Sequence, residues 1–377
     1  MSSLYKACFL PASSSRRELE GKLDTVQVFP NIKAILILVA EQTALKIDYL
    51  DDVLRQDRET AVFGGVFPDL VIDGVKLQQG ILIIGLTVPV NTYVVSSVVA
   101  DGASMQKELT GQGASTLTDE HGVFLFADSS VCCLDALTEA VEGVFGSSTQ
   151  YIGAGAGSRG VEKQPCIITS KGLLAGAAVI ATVSLSNAVE IGHGWRPVCS
   201  PMNITQSTGN TLESIENRPA FEVYREVVEM HSGMKLNRRD FIALSKNYPL
   251  TVSNHRSENV VRDPVVEYCN RVVCLGEIHE GSSLQVLHGD IDSLIDGANE
   301  AQQRALQRMN NPVNSFYFFS TCITRELVLG KSFERELEIL SKEQLVFGVT
   351  GIGVFACSLD RHLNYFNKSA VYSVFAF

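Results

Sequence analysis

The chain has 377 residues, enough for about two domains at roughly 150 residues each. Apolar residues make up 45% and charged residues 19%, with a mean hydropathy of +0.13, which excludes disorder because there is ample side chain to bury and little charge to oppose collapse. A formal charge of −11 argues against nucleic-acid binding, and nine cysteines without a secretory leader read as reduced thiols of a cytoplasmic protein.

The apolar bias calls for a test of membrane insertion, which needs about 20 apolar residues. The stretch from Gly80 to Ala100 carries Pro89 and Asn91 at its centre, so it reads as two strands. Leu173–Val189 is rich in Gly, Ser and Ala and carries Asn187. No membrane insertion is expected.

In chain order, Ile32–Ala40 is a continuous apolar run, the pattern of a strand buried on both faces. Thr43–Arg55 reads as a helix, with Leu45, Tyr49, Leu50, Val53 and Leu54 at helical spacing. Ala61–Phe67, Leu70–Ile72, Gly80–Val88 and Thr92–Val99 are expected strands separated by Gly, Pro and Asp turns. A short helix over Ser104–Gln112, a strand over His121–Ala127 and a helix over Val131–Phe145, ended by Gly146, follow. Further on, Val179–Val189, Ile191–Pro197 and Met202–Ser207 read as strands and Pro219–His231 as a helix. Strands are expected at Val265–Leu275 and Ser283–Leu287. Asp290 caps the clearest helix, whose stripe is Ile291, Leu294, Ile295, Ala298, Ala301 and Ala305. Ser315–Ser320 is a strand, Thr324–Leu340 is helical around Gly330, and Leu345–Cys357 and Ala370–Phe377 are strands.

The expected class is a sheet-rich α+β fold of two related domains, each with largely antiparallel sheets flanked by helices. The order strand, helix, several strands, helix recurs about twice, and no fixed-period repeat is present.

Few motifs carry chemistry. Gly155–Gly160 matches G-x-G-x-x-G, but Val161–Pro165 opens no helix, so the stretch reads as a Gly-rich loop whose Arg159 can reach an anionic ligand. The seven histidines, His121, His193, His231, His255, His279, His288 and His362, show no i, i+4 pair, and the cysteines show no C-x₂-C, so no metal site is expected. Adjacent Cys132 and Cys133 head a helix and read as packed, inert thiols. No G-x-S-x-G elbow, Walker loop or kinase signature occurs, so nothing nominates an enzyme and no catalytic residue is assigned.

Two segments stand out. Glu190–Pro197 holds the only tryptophan, Trp195, beside His193 and two glycines; it is either a packed strand end or a recognition corner. Cys322 and Arg325 open a helix after a strand, where Arg325 suits a ligand carboxylate or phosphate, or else pairs with Glu326 or Glu336.

Taken in order, several pieces resemble the FIST sensory family of bacterial signal transduction. They are Val62–Pro68, Gly153–Gly157, His193–Pro197 and Ile204-Thr205, then Arg218–Tyr224, Cys322 with Arg325, Gly330 and Glu336, Gly348–Phe355, and Phe366–Tyr372. Two departures are visible: Ala356–Asp360 replaces a Gly-Glu-Ile-like turn, and Phe366 stands where a His precedes Asn367. The resemblance implies an N-terminal domain over 1–215 and a C-terminal domain over 216–377. It implies a sensor of a small molecule, an amino acid or organic acid, acting through a separate partner such as a histidine kinase or chemoreceptor. His193, Trp195, Thr205, Cys322, Arg325, Asn367 and Arg159 are the ligand-binding candidates. No cofactor is expected; the alternative is haem held by His193 in a nitric oxide or gas sensor controlling a histidine kinase.

Overall fold

The computed structural model describes residues 4–376 apart from 12, 30, 44–46, 56–59, 119–120, 161–163, 254–259, 313–314 and 358–360. Leu45, His255 and the 358–360 part of the altered turn therefore lie outside the described residues.

Three stretches of chain repeat one topology, β-α-β-α-β-β-β-β. The first comprises β1 (Tyr5–Leu10), α1 (Arg16–Val28), β2 (Ala34–Ala40), α2 (Ile47–Leu54), β3 (Ala61–Phe67), β4 (Asp69–Ile72), β5 (Val75–Leu77) and β6 (Ile81–Leu86). The second comprises β7 (Val90–Val95), α3 (Gly102–Gly111), β8 (His121–Asp128), α4 (Leu134–Phe145), β9 (Gln150–Ala156), β10 (Ile167–Thr169), β11 (Gly172–Leu174) and β12 (Ala178–Ser184). The third opens with β13 (Ser186–Gly192) and is interrupted by an inserted module. That module holds β14 (Arg196–Pro197), β15 (Met202–Thr208), β16 (Thr211–Ile215), β17 (Arg218–Pro219), α5 (Ala220–Ser232), α6 (Phe241–Ser245), β18 (Leu250–Ser253), β19 (Val260–Tyr268), β20 (Arg271–Leu275) and β21 (Ser283–His288). The third unit resumes with α7 (Ile291–Arg308), β22 (Phe316–Cys322), α8 (Ile323–Leu329), α9 (Phe333–Leu340), β23 (Val346–Gly351), β24 (Val354–Cys357), β25 (Leu363–Phe366) and β26 (Ala370–Ala376).

Each unit centres on a parallel pair, β2 with β3, β8 with β9 and β22 with β23, because a helical crossover returns the chain to the same end. Antiparallel strands flank each pair, and each unit lends its hairpin to a neighbour. β4–β5 docks on β23, β10–β11 docks on β3, and β24–β25 docks on β9. Three six-stranded sheets result, each built from two units.

The inner faces of the three sheets share one core. Phe124 of β8 sits at its middle, stacked on Phe375 with centroids 5.1 Å apart, and meeting Phe318 at 5.3 Å and Phe63 at 5.9 Å. The outer faces are covered by helices: Leu137, Val141 and Phe145 of α4 pack on one sheet, and Leu294, Ile295 and Ala298 of α7 on another. Gly64, Gly153 and Gly348 occupy equivalent places, directly across the parallel ladders from Ile37, Leu125 and Phe319. A Cβ at any of them would overlap the partner's carbonyl oxygen.

The inserted strands pair in the cycle β21-β15-β16-β20-β19-β18 and back to β21, all antiparallel, around a separate core with Phe221 and Tyr224 of α5. The residue 215/216 division expected from the sequence falls at the end of β16, inside this module. Among the described residues no helix is long and apolar enough to cross a membrane.

The sheet-rich α+β class holds, while the recurrence is threefold rather than twofold. Single strands expected over Val179–Val189, Val265–Leu275 and Leu345–Cys357 are each two strands, and Thr324–Leu340 is two helices, α8 and α9, turning at Gly330 with φ +54°.

Candidate functional site

Arg325, in the first turn of α8, is fully buried and faces inward. Its Nη2 donates to Glu336 Oε2 at 2.6 Å and to the Leu294 carbonyl, and its Nη1 donates to the His193 carbonyl at 2.8 Å. A guanidinium removed from water must be paired and hydrogen-bonded, and this one is satisfied by α7, α9 and the β13 corner together. Of the alternatives left by the sequence, the structure places Arg325 on Glu336.

The corner it clamps is closely packed. Trp195 is 4% exposed and its Nε1 donates to the Lys368 carbonyl at 3.0 Å, while its backbone N–H donates to His193 Nδ1. Burial, reinforced by the Arg325 charge, lowers the His193 pKa to about 4 and keeps the ring neutral. Gly194, at φ +73°, lies against α7 where a Cβ would overlap the Ser293 carbonyl.

The other candidates are dispersed. Thr205 serves the β15–β16 hairpin, bonded to Ser214 Oγ at 2.7 Å and accepting from the Asn217 backbone N–H at 3.0 Å. Cys322 is buried with its Sγ 3.1 Å from Thr324 Oγ1. Asn367 is fully buried and neither of its side-chain polar atoms has a partner. Next to it the Lys368 ammonium pairs with Asp263 at 3.1 Å, and burial raises the Asp263 pKa against that attraction. Phe366, at the place of the family's His, is a core residue.

Arg159, of the second unit, gathers carboxylates from the first and the third. Its Nη1 donates to Glu41 Oε1 at 3.0 Å and to the Pro68 carbonyl at 2.9 Å, and its Nη2 pairs with Asp69 and lies 3.6 Å from Glu326. Lys76 pairs with the other Glu326 oxygen at 2.6 Å. Burial raises the Glu326 pKa, Lys76 opposes this and the Asp69 charge adds to it. Arg159 is thus committed to carboxylates of its own chain.

Beside this cluster lies a cavity of about 680 Å³. It opens over the carboxyl ends of β2, β3, β8, β9 and β23, where the chain leaves parallel strands for loops. Glu41, Gln42, Asp128, Ser129, Ser130, Ser158 and Gln164 supply polar walls; Val66, Pro165, Cys166 and Ile352 supply apolar ones. Gly157, at φ +140°, keeps the floor low: a Cβ there would come within 3.1 Å of Ser129 Oγ and 3.3 Å of Ile352 Cδ1. The Asp128 carboxylate is oriented by the backbone N–H groups of Ser130 at 2.9 Å and Gly176 at 2.7 Å. Burial, with Asp128 nearby, pushes the Cys166 thiol up and keeps it neutral. The described lining includes two carboxylates and no Lys, Arg or His.

The Gly-rich loop noted in the sequence supplies Gly157, Ser158 and Gly160 to this wall, and β10 rather than a helix follows it. Glu41, Gln42, Asp128, Ser129, Ser130 and Cys166 were missed, because they come from strand ends and loops of two units with no shared spacing.

A second cluster, Asp135, Glu277 and His279, has ligand atoms within 4.8 Å of one another, a spacing that suits a metal ion. Burial alone would raise Asp135, but Arg262 and His279 outweigh it and hold its pKa down. Arg262 Nη2 sits 2.9 Å from the Asp135 carboxylate, so a guanidinium already fills the cationic place.

Comparison with known families matches residues 33–218 to the FIST N domain and residues 220–357 to the FIST C domain. A search among curated proteins finds no match.

Proposed function

The chain belongs to the FIST family, whose domains are sensory domains of signal transduction, and we propose that it senses a small ligand carrying an ammonium group, an amino acid or amine, in the 680 Å³ cavity. The observation that carries this reading is the lining: Asp128, held by backbone N–H groups, and Glu41, whose carboxylate is shared with Arg159 behind the wall, face a partly apolar recess with no cationic side chain among its described lining residues. An organic acid without an ammonium group fits that field poorly.

Glu41 links the cavity to the rest of the molecule. A ligand cation drawing on its carboxylate weakens the hold on Arg159, which also touches Asp69 and Glu326 of other elements. Occupancy then favours one packing of the three units over another, and a separate signalling protein, such as a histidine kinase or chemoreceptor, reads the altered surface.

Haem fits this cavity less well. Its described lining offers no His, Tyr or Met, Cys166 is held as a thiol, and His193 is enclosed in the Trp195 corner with Nδ1 engaged. A Soret band after haem reconstitution that disappears in His193→Ala would reverse this judgement.

The test is a thermal-shift and calorimetric screen of amino acids, amines and organic acids. An ammonium ligand at 100 times its Kd is expected to add about 2.7 kcal/mol of stability. The plugged variant Gly160→Phe should lose the response, since a Cβ at that position meets only Ser158 Oγ, at 3.6 Å. Silence across the screen, or an equal shift in the plugged variant, overturns the assignment.

A further inference from the structure

Consecutive side chains in a helix or strand point well apart. Cys132 and Cys133 do not: their Sγ atoms are 3.3 Å apart. The chain turns here from the β8 loop into α4, with Cys133 as the N-cap residue at φ −116° and ψ 42°, and this turn swings both thiols to one side. Cys132 is exposed and Cys133 is half-buried, which corrects the expectation of two packed thiols.

The surroundings give the pair two connections. Ser129 and Ser130, just upstream, line the cavity. Asp135, just downstream, is bound by Arg262 of the inserted module, so the dithiol lies at the seam between that module and the second unit.

We propose that Cys132 and Cys133 form a thiol–disulfide exchange site that takes a small-molecule disulfide as co-reactant and closes to a disulfide between neighbouring residues. The exposed Cys132, as thiolate, attacks one sulfur of the small disulfide and expels the other half as a thiolate, leaving a mixed disulfide on Cys132. Cys133 then loses its proton and attacks Cys132 Sγ, and the second half leaves as a thiolate. Two protein S–H bonds become one S–S bond, the co-reactant is reduced to two thiols, and the two protons released by the cysteines end on them. The sulfurs need to approach by little more than an ångström, since an S–S bond is about 2.05 Å long. Cys132 is the exposed sulfur and meets the co-reactant first, while burial pushes the Cys133 thiol up and keeps it protonated until the second step.

The experiment treats the full chain with glutathione disulfide, blocks remaining thiols by alkylation, and maps modified peptides by mass. The expected product is a Cys132–Cys133 peptide that has lost two hydrogen atoms and carries neither glutathione nor alkyl groups. Cys133→Ser should stall with one glutathione on Cys132, and phenylarsine oxide, which bridges paired thiols, should protect the wild-type pair from alkylation but not either single variant. Cys269, exposed on a separate turn, is the internal control for an ordinary surface thiol. A wild-type chain that stops at the mixed disulfide, or whose pair is alkylated as freely as Cys269, overturns the proposal.

Discussion

Arg159 holds Glu41 twice, through its backbone N–H and through Nη1 at 3.0 Å, although the two residues belong to different units. One carboxylate therefore serves the cavity wall and the buried charge cluster together, and the two cannot be perturbed separately.

Arg159→Met should strip the partner from Asp69, which is fully buried and has one oxygen already without a hydrogen bond. A loss of about 3 kcal/mol is expected, the lower end for an orphaned buried charge. Urea unfolding at pH 7 checks this, and the added substitution Asp69→Asn should recover a large part.

Arg325→Lys should cost about 3 kcal/mol, because an ammonium cannot span Glu336, the Leu294 carbonyl and the His193 carbonyl as the planar guanidinium does. Replacing both charges, Arg325→Met with Glu336→Leu, should be less damaging than either single change. The comparison is a double-mutant cycle by thermal or denaturant unfolding.

Gly64→Ala, Gly153→Ala and Gly348→Ala should each prevent soluble folding or sharply lower Tm, since the new methyl group meets backbone that has no room to yield. Gly21→Ala, in α1 with nothing within 4 Å of the added carbon, should instead stabilise by about 0.5–1 kcal/mol. Similar behaviour at all four positions would contradict the threefold register.

His193 titrates near 4 in the fold and near 6.5 once released. Below pH 6.5 the unfolded chain takes up a proton that the folded chain refuses. This contribution to stability is therefore full above 6.5 and is lost as pH falls toward 4, by about 1 kcal/mol per pH unit. His193→Asn should flatten that part of the pH–stability profile measured by denaturant titration.

The long elements from residue 32 onward were legible in the sequence, because a buried strand such as Ala34–Ala40 and an amphipathic helix such as Ile291–Arg308 write their surroundings into local pattern, whereas β1, α1, α6 and β18 were not read at all. Chain reversals were less legible: Val183-Ser184-Leu185 carries no Gly or Pro, yet there the chain passes from one sheet to another. The threefold plan was hidden because it consists of hydrogen-bond register between distant segments, which Gly64, Gly153 and Gly348 mark with a common residue. The sequence marked residues that are chemically unusual, Trp195, His193 and Arg325, and these hold the corner together. The cavity wall is ordinary Ser, Gln and Asp assembled from several loops, which no local pattern announces.

The lending of hairpins has a consequence for how the molecule comes apart. Each hairpin leaves its own unit's sheet to complete another, so loss of any one unit exposes raw strand edges on both others. A cut anywhere in this ring should therefore melt the whole, whereas the inserted module leaves and returns through the paired neighbours Arg196 and His288, a single doorway. The boundary between the two family matches, at residues 218 to 220, falls inside that annex, so the ring and not the boundary sets which parts must melt together.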